Sequence, residues 1–231
     1  MSFLNDVVNI VIKYYPNLLD GVGNTMLIAL IGTVAGLVIG LLTGVVRTAP
    51  LSKNAVLRVL HKILNAVIAV YVEIFRGTPM MVQLLIMSMV IFANSRNFTM
   101  VGALALGINS GAYVAEIVRG GLMSVNPGQM EAGRSLGLNY AQTMRLIVIP
   151  QAFKSILPPL GNEFIVLIKE TSIVGYVGMS DLTRVANQMT SKLFDVFTPL
   201  LGIAFIYFVL TKVLSILLAK LERRLRKSDN R

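Results

Sequence analysis

The sequence predicts an all-α integral membrane protein with about five transmembrane helices, from its composition, its apolar runs and the positions of its basic residues. Of the 231 residues, 55% are hydrophobic and 14% are charged, and the mean hydropathy is +0.73. A soluble domain would carry about 25% charged residues. Residues 21–46 contain no charged side chain and, at about 1.5 Å per residue, are long enough to cross a bilayer.

The net charge of +10 comes from three basic regions that lie beside apolar runs. The positive-inside rule places such regions on the cytoplasmic side of a membrane. They do not form the continuous stripe of a nucleic-acid-binding face, so we expect no nucleic-acid partner. The regions comprise Arg47, Lys53, Arg58 and Lys62; Arg119, Arg134, Arg145 and Lys154; and Lys220, Arg223, Arg224, Arg226, Lys227 and Arg231.

Six apolar stretches give five crossings if residues 63–93 form one helix that is broken at Gly77-Thr78-Pro79. Proline removes a backbone donor and therefore interrupts a helix. We then expect a single transmembrane domain over residues 1–231, with residues 1–20 outside and the basic tail, 220–231, in the cytoplasm. The stretches are 21–46, 63–75, 77–93, 100–118, 155–178 and 196–219.

The first span places a glycine at every fourth position, at Gly32, Gly36, Gly40 and Gly44. On a helix these positions form one flat stripe, which lets a second helix approach closely. We therefore predict helix packing at the stripe. The second helix belongs either to the same subunit or to another one.

A polar segment at residues 126–150 carries ordered helix punctuation between two apolar spans. Asn126 suits an N-cap and Pro127 the first helical position. Gly137 suits a left-handed residue that ends the helix, and Asn139 suits a second N-cap. We predict a short helix, a sharp turn and a second helix that ends near Pro150, all on the cytoplasmic face.

The short helix also carries a predicted surface for a partner. Glu131 and Arg134 are three residues apart and can form an ion pair. Met130, Leu136 and Leu138 supply apolar contact area. The alternative is a helix that lies on the lipid surface, which its basic ends would also suit.

This segment resembles the EAA motif of the permease subunits of ABC importers, which reads EAA, three residues, G, nine residues, I, one residue, LP. Glu131-Ala132, Gly137, Ile147 and Pro150 match, whereas Gly133 and Ile149 depart mildly from the pattern. Further segments resemble the polar amino acid branch, the histidine, glutamine and arginine permeases, over roughly residues 20–225. These are Arg76-Gly77-Thr78-Pro79, residues 109–121, Asn126-Pro127-Gly128-Gln129, Pro150-Gln151-Ala152 and Lys169-Glu170-Thr171-Ser172.

The resemblance implies the type I ABC importer permease architecture, with residues 126–150 as a coupling loop. In the family this loop seats in a groove of a cytoplasmic ATPase dimer, and ATP-driven closure switches a pair of permease subunits from inward to outward facing. It further implies a second permease subunit, identical or closely related, an external substrate-binding protein, and a bacterial cytoplasmic membrane. The residues assigned to ATPase coupling are Glu131, Ala132, Gly133, Arg134 and Gly137.

Charged residues within apolar spans cost about 2.5–3.5 kcal/mol on insertion scales and are therefore candidates for function. Two of them have a structural explanation close by, since Glu73 can pair with Arg76 and Glu116 with Arg119. The adjacent Lys169 and Glu170 point in different directions and need partners elsewhere.

Glu163 has no cation within one helical turn and is the principal candidate for a substrate contact. Its carboxylate would accept a substrate ammonium or guanidinium group, which favours a basic amino acid. The alternative is a buried pair with Lys169 or Arg119. Asn109, Tyr113 and Glu116 share one helical face and either bind the substrate or hold helices together. The predicted substrate-binding set is Glu163, Asn109, Ser110, Gln83 and Thr25.

We predict a permease that imports polar amino acids (arginine, lysine, histidine or glutamine). It binds no cofactor itself, since the chain lacks a phosphate-binding loop and ATP and Mg²⁺ would be held by the partner ATPase. The alternative is an ion-coupled secondary amino acid transporter, although no internal repeat is evident. A membrane enzyme is not expected: the chain has no cysteine and a solitary His61, so neither catalytic nor metal-binding residues are assigned.

Overall fold

A computed structural model of the chain describes the backbone of residues 2–227 and the side chains of residues 12–224, and the described backbone is built of helices and short connections. Met1 and residues 228–231, the end of the predicted basic tail, lie outside the described residues. The α-helices are α1, Ser2–Thr48; α2, Ala55–Gly77; α3, Met80–Ile86; α4, Phe98–Met123; α5, Pro127–Ser135; α6, Tyr140–Thr143; α7, Ile149–Glu170; α8, Leu182–Leu193; and α9, Phe197–Lys227. Two π-helical turns, Met87–Ile91 and Met144–Val148, and one 3₁₀ helix, Thr171–Val177, connect them.

Four of the described helices, α1, α2, α4 and α9, are long and apolar enough to cross a membrane. Helix α7 is the fifth. Its 22 residues span about 33 Å, but it is less apolar because it carries internal prolines and four charged side chains. It contacts α1, α4 and α9, so it lies within the bundle rather than beside it. The predicted number of crossings is therefore consistent with the structure.

The predicted break in the second crossing is present. Helix α2 ends at Gly77, Thr78 is extended with φ −117° and ψ 148°, and Pro79 precedes α3. A break frees backbone carbonyls that need hydrogen-bond donors inside a membrane. Gln83 Nε2 donates to Phe75 O at 2.9 Å and to Thr78 O at 3.1 Å, and Asn109 Nδ2 donates to Phe75 O at 3.1 Å.

The glycine stripe packs against α4 of the same chain, which decides between the two predicted partners. A methyl group built at Gly36 would lie 2.8 Å from Ser110 Oγ, and one built at Gly44 would lie 2.8 Å from Val118 Cβ. Gly32 and Gly40 face Leu106 and Val114 in the same register, so α1 and α4 run parallel in close contact. This contact makes α4 the buried centre of the bundle.

The helix–turn–helix at residues 126–150 has the predicted caps. Asn126 caps α5, and Pro127 is its first residue. Gly137 has φ +86°, and the N–H of Leu138 donates to Gly133 O while that of Gly137 donates to Arg134 O, at 3.1 and 3.0 Å. These two bonds define a Schellman motif. Asn139 and Gln142 form a reciprocal capping box at the start of α6.

The predicted end of the second helix near Pro150 is wrong. The helical backbone continues from Tyr140 through the π-helical turn into α7, with Pro150 in the first turn of α7. The N–H of Ile149 donates to Met144 O, five residues back instead of four. Such a widened turn accommodates the ring and the missing N–H of a proline without ending the helix. The segment predicted to be the coupling loop is thus continuous with a membrane-crossing helix.

Candidate transport groove and coupling surface

Three helices surround α4 and leave one side of it open. Helix α1 covers the side of Leu106, and α2 covers the side of Ala112 with Ile68 and Val72. Helix α7 covers a third side, where Ile156 lies against Gly121. The open side carries Tyr113, Glu116 and Gly120, at i, i+3 and i+7 on one helical face. Tyr113 is 36% exposed although its neighbours along α4 are buried.

Glu163 lies at the edge of this open side. Its Oε1 accepts a hydrogen bond from Ser110 Oγ at 2.8 Å, so the structure brings these two predicted residues together. The alternative ion pairs do not form: Arg119 binds Glu116 instead, and Lys169 is exposed. Glu170 lies two helical turns beyond Glu163 on the same face, which places two carboxylates along one side of α7.

The opposite edge of the open side is formed by α2. A cavity of about 520 Å³ lies there, beside the break, and its polar lining is supplied by Arg47, Glu73, Arg76, Tyr113 and Glu116. Arg47 and Arg119 both form ion pairs with Glu116, which confirms the predicted Glu116–Arg119 contact and adds a partner from α1. The predicted Glu73–Arg76 pair is wrong. The Arg76 guanidinium lies instead 5.3 Å from the centre of the Tyr113 ring.

The other predicted substrate-binding residues are buried within the bundle. Asn109, Gln83 and Thr25 are 3%, 8% and 0% exposed. Asn109 Nδ2 donates to Gln83 Oε1 at 2.9 Å, and both side-chain amides also donate to the carbonyl of Phe75 at the end of the broken helix. Thr25 Oγ1 accepts from the N–H of Leu182 at 3.3 Å. These contacts hold helices together, and a substrate contact by any of the three stays a prediction.

The residues predicted to couple to an ATPase form an exposed surface that packs on the α6–α7 segment. Glu131, Ala132 and Arg134 are exposed, while Gly133 is buried, and a methyl group built on it would lie 2.6 Å from Thr143 Cγ2 and 3.0 Å from Ile147 Cδ1. Glycine at this motif position therefore lets α5 lie directly against the start of the α6–α7 rod. The predicted Glu131–Arg134 ion pair does not form, so both charges remain available to a partner.

The apolar part of that surface is unevenly exposed. Leu136 is 82% exposed at the turn, whereas Met130 and Leu138 are half-buried. A cleft of about 310 Å³ separates α5 from the ends of α1 and α4, and Met130, Tyr140 and Met144 contribute to its lining. The apolar contact area predicted for a partner is therefore supplied mainly by Leu136.

Sequence reasoning missed a buried polar centre at the predicted external end of the bundle. Asp181, with no exposed surface, caps α8 by accepting hydrogen bonds from the backbone N–H groups of Arg184 at 2.9 Å and Thr183 at 3.1 Å. The Tyr207 hydroxyl donates to it at 3.5 Å. Burial raises the pKa of this carboxyl above its usual value, and the two backbone hydrogen bonds partly oppose the rise. An N-cap aspartate was the only available sequence signal.

These features define a membrane transport protein, with a charged groove among its spans and a capped helix projecting from its predicted cytoplasmic end. Among the residues that the structure describes, no three His, Asp or Glu side chains are grouped to hold a metal ion. The groove and the predicted coupling surface are therefore the candidate functional sites among the described residues.

Comparison with known proteins identifies the family. Residues 36–227 match the model described as "binding-protein-dependent transport system inner membrane component". The chain is 37% identical over 215 residues to the glutamine transport system permease protein GlnP of Escherichia coli strain K12, covering 91% of this chain and 94% of that one. It is 35% identical over 223 residues to a putative glutamine transport system permease protein of Rickettsia typhi, covering 93% and 96%. The chain belongs to this family of inner membrane transport components.

Solved structures agree with this assignment. The crystal structure of an amino acid ABC transporter with histidines contains a chain that is 41% identical, with a TM-score of 0.81 over 93% of this chain and 96% of that one. An inward-facing methionine ABC transporter, MetNI, shares the fold at 20% identity and a TM-score of 0.73, covering 92% and 98%. These findings confirm the predicted fold class and the predicted permease subunit of an ABC importer, and nothing in them supports an ion-coupled secondary transporter.

Proposed function

We propose that this chain is the membrane subunit of an ATP-driven importer of polar amino acids in a bacterial cytoplasmic membrane. The observation that carries the proposal is the predicted coupling surface: a short, doubly capped helix, α5, is exposed at Glu131, Arg134 and Leu136 and packs through Gly133 against the α6 segment that continues into helix α7. A rigid element of this kind transmits a rigid-body motion, whereas a flexible loop would absorb it. The relatives named as glutamine permeases and the solved amino acid ABC transporter support the substrate class.

The energy source in this proposal is a separate ATPase dimer that holds ATP and Mg²⁺. Glu131 and Arg134 make the polar contacts with the ATPase, Ala132 and Gly133 keep the helix narrow, and Gly137 sets the turn. Closure of the ATPase dimer draws the coupling loops of two permease subunits together. Because the loop continues into α7, that movement reaches the helix that carries Glu163. An external binding protein delivers the amino acid to the outward-facing state.

Glu163 is the proposed contact for the cationic part of the substrate. Its hydrogen bond from Ser110 orients the carboxylate, and no lysine or arginine of the described segment neutralises it. Glu170 on the same face adds a second carboxyl group. A carboxylate without a bound cation at Glu163 favours a basic substrate such as arginine, lysine or histidine, and a neutral polar substrate such as glutamine can donate its amide to the same oxygens. Asn109, Gln83 and Thr25 then set the positions of the surrounding helices.

Replacement of Glu163 by glutamine tests this assignment. The permease, its ATPase and its binding protein are reconstituted in proteoliposomes, and ATP-driven uptake of L-arginine and L-glutamine is measured for wild type, Glu163→Gln and the control Glu222→Gln at the cytoplasmic end of α9. We expect Glu163→Gln to lower arginine uptake about tenfold or more, because a charge-assisted hydrogen bond is lost, and glutamine uptake less. An equal loss for both amino acids would show that Glu163 is structural.

A further inference from the structure

The open side of α4 has charged groups on both of its edges. Ser110 and Tyr113 are three residues apart on α4 and are therefore neighbours, with about 5–6 Å between their Cβ atoms. Ser110 holds Glu163 at one edge, and Tyr113 contacts Arg76 of α2 at the other. An extended amino acid can therefore bridge the two edges across Tyr113.

The α2 edge lies deep in the membrane and is nevertheless charged. Phe75, next to Arg76, accepts a hydrogen bond from Asn109, which lies near the middle of the 26-residue helix α4. Glu73 and Arg76 are both exposed there and do not pair with each other. Exposed charges at this depth are not stable against lipid, so in the assembled transporter this edge faces water, a ligand or the second permease subunit.

The chemistry of this edge suits the head group of an amino acid. Arginine presents a planar fork of donors that matches a carboxylate in a bidentate pair. The Tyr113 ring, 5.3 Å from the guanidinium carbon, supports the fork by a cation–π contact. Glu73, one helical turn before Arg76, supplies an acceptor for an ammonium group. The adjacent cavity of about 520 Å³ falls in the range of roughly 300–1,000 Å³ that is typical of small-molecule sites.

Two of the carbonyls at the break already accept hydrogen bonds from side-chain amides. Phe75 O accepts hydrogen bonds from Gln83 Nε2 and Asn109 Nδ2, and Thr78 O accepts one from Gln83 Nε2. Glu73 and Arg76 are the two charged side chains of α2 that line the cavity.

We propose that Arg76, supported by Tyr113, binds the α-carboxylate of the transported amino acid, and that Glu73 binds its α-ammonium group. Glu163 and Glu170 are then left to contact the substrate side chain from the other edge. This inference rests on the proposed function and adds the site that distinguishes an α-amino acid from other polar or cationic solutes. The roles of the two edges are separable by experiment, because they recognise different parts of the same molecule.

The test uses the purified permease–ATPase complex in lipid nanodiscs, without the binding protein, so that only the membrane site selects the ligand. Binding of radiolabelled L-glutamine and L-arginine is measured first. For the amino acid that binds, competition is then measured with the free acid, its carboxamide and its Nα-acetyl derivative. Variants are Arg76→Gln, Arg76→Lys, Tyr113→Leu and Glu73→Gln, and the control is Arg96→Gln in the loop before α4.

We expect wild type and Arg96→Gln to prefer the free acid to the carboxamide by about tenfold to a hundredfold, since the lost contact is a charge-assisted hydrogen bond. In Arg76→Gln that ratio falls to about one. Arg76→Lys, which keeps the charge and loses the fork, gives an intermediate ratio, and Tyr113→Leu weakens the same preference without altering Arg76. Glu73→Gln lowers discrimination against the Nα-acetyl derivative instead.

A wild-type acid-to-carboxamide ratio in correctly assembled Arg76→Gln and Arg76→Lys complexes would overturn the inference and leave the proposed function intact. A wild-type complex that binds neither amino acid, and that shows no ATP-driven uptake when the binding protein is added, would overturn the proposed function as well. Elution of each complex in size-exclusion chromatography establishes assembly. If Arg76→Gln does not assemble, the acid-to-carboxamide ratio of Tyr113→Leu tests the same contact.

Discussion

The close contact between α1 and α4 makes Gly40→Ala the most direct test of the packing. A methyl group at Gly40 would overlap the side chain of Val114 and lie 2.9 Å from the backbone nitrogen of Ala115. Non-bonded heavy atoms prefer about 3.5–4.0 Å, so the two helices must separate by at least roughly 0.6–1.1 Å. Overpacking costs about 1–3 kcal/mol, and a backbone atom cannot rotate away, so we expect about 2–3 kcal/mol.

The expected result is a lower melting temperature, measured by far-ultraviolet circular dichroism of the purified chain in detergent. At about 2–4 °C per kcal/mol, the melting temperature should fall by about 4–12 °C relative to alanine variants at glycines that have open space around them. Gly23→Ala and Gly202→Ala are matched controls, because a methyl group at either position meets nothing within 4 Å. Alanine favours a helix by about 1 kcal/mol, so the controls should be unchanged or slightly stabilised. A melting temperature for Gly40→Ala equal to that of the controls would refute the packing.

Three further predictions follow from single contacts. Gly137→Val should abolish ATP-driven uptake while the chain still folds, whereas Gly137→Asn should retain part of the uptake. The reason is that asparagine tolerates a φ of +86° and valine does not. Normal uptake by the valine variant would contradict the coupling role. Asp181→Ala should lower thermal stability by about 1–2 kcal/mol through loss of the cap of α8. Asp181→Asn keeps the cap and removes a buried charge. Equal losses of stability in the two variants would therefore contradict the capping role of Asp181. Asn109→Leu should lower the free energy of unfolding by about 1–3 kcal/mol, because it removes a hydrogen-bond donor to the broken helix. The control is Asn187→Leu on α8. Equal melting temperatures of the two variants would show that the break needs no such donor.

The sequence predicted those features that depend on neighbouring residues. The caps at Asn126, Gly137 and Asn139 are set within three or four residues, and each is present. The interruption at Gly77-Thr78-Pro79 and the Glu116–Arg119 pair are local in the same sense and were also predicted correctly. Such signals arise from the geometry of one helical turn, which a single sequence contains.

Contacts between distant segments were not predictable in the same way. The Glu116 carboxylate also binds Arg47, 69 residues away, and Arg76 turns from Glu73 to Tyr113 because the bundle places an aromatic ring within reach. Pro150 indicated a helix end, but the π-helical turn before it let the helix continue. Gln83 and Asn109 suited either a ligand or helix packing in the sequence, and their hydrogen bonds to Phe75 O, a residue on another helix, are visible only in the structure.

ATP-driven uptake in proteoliposomes tests the central claim most directly. The chain is reconstituted with its ATPase facing the lumen and the binding protein added outside, and uptake of L-glutamine and L-arginine is measured with lumenal ATP or with an imposed proton or sodium gradient. We predict uptake of at least one of them with ATP, none with a gradient alone, and loss of the ATP-driven component in Gly137→Val. Uptake driven by a gradient in the absence of ATP, unchanged in Gly137→Val, would contradict it.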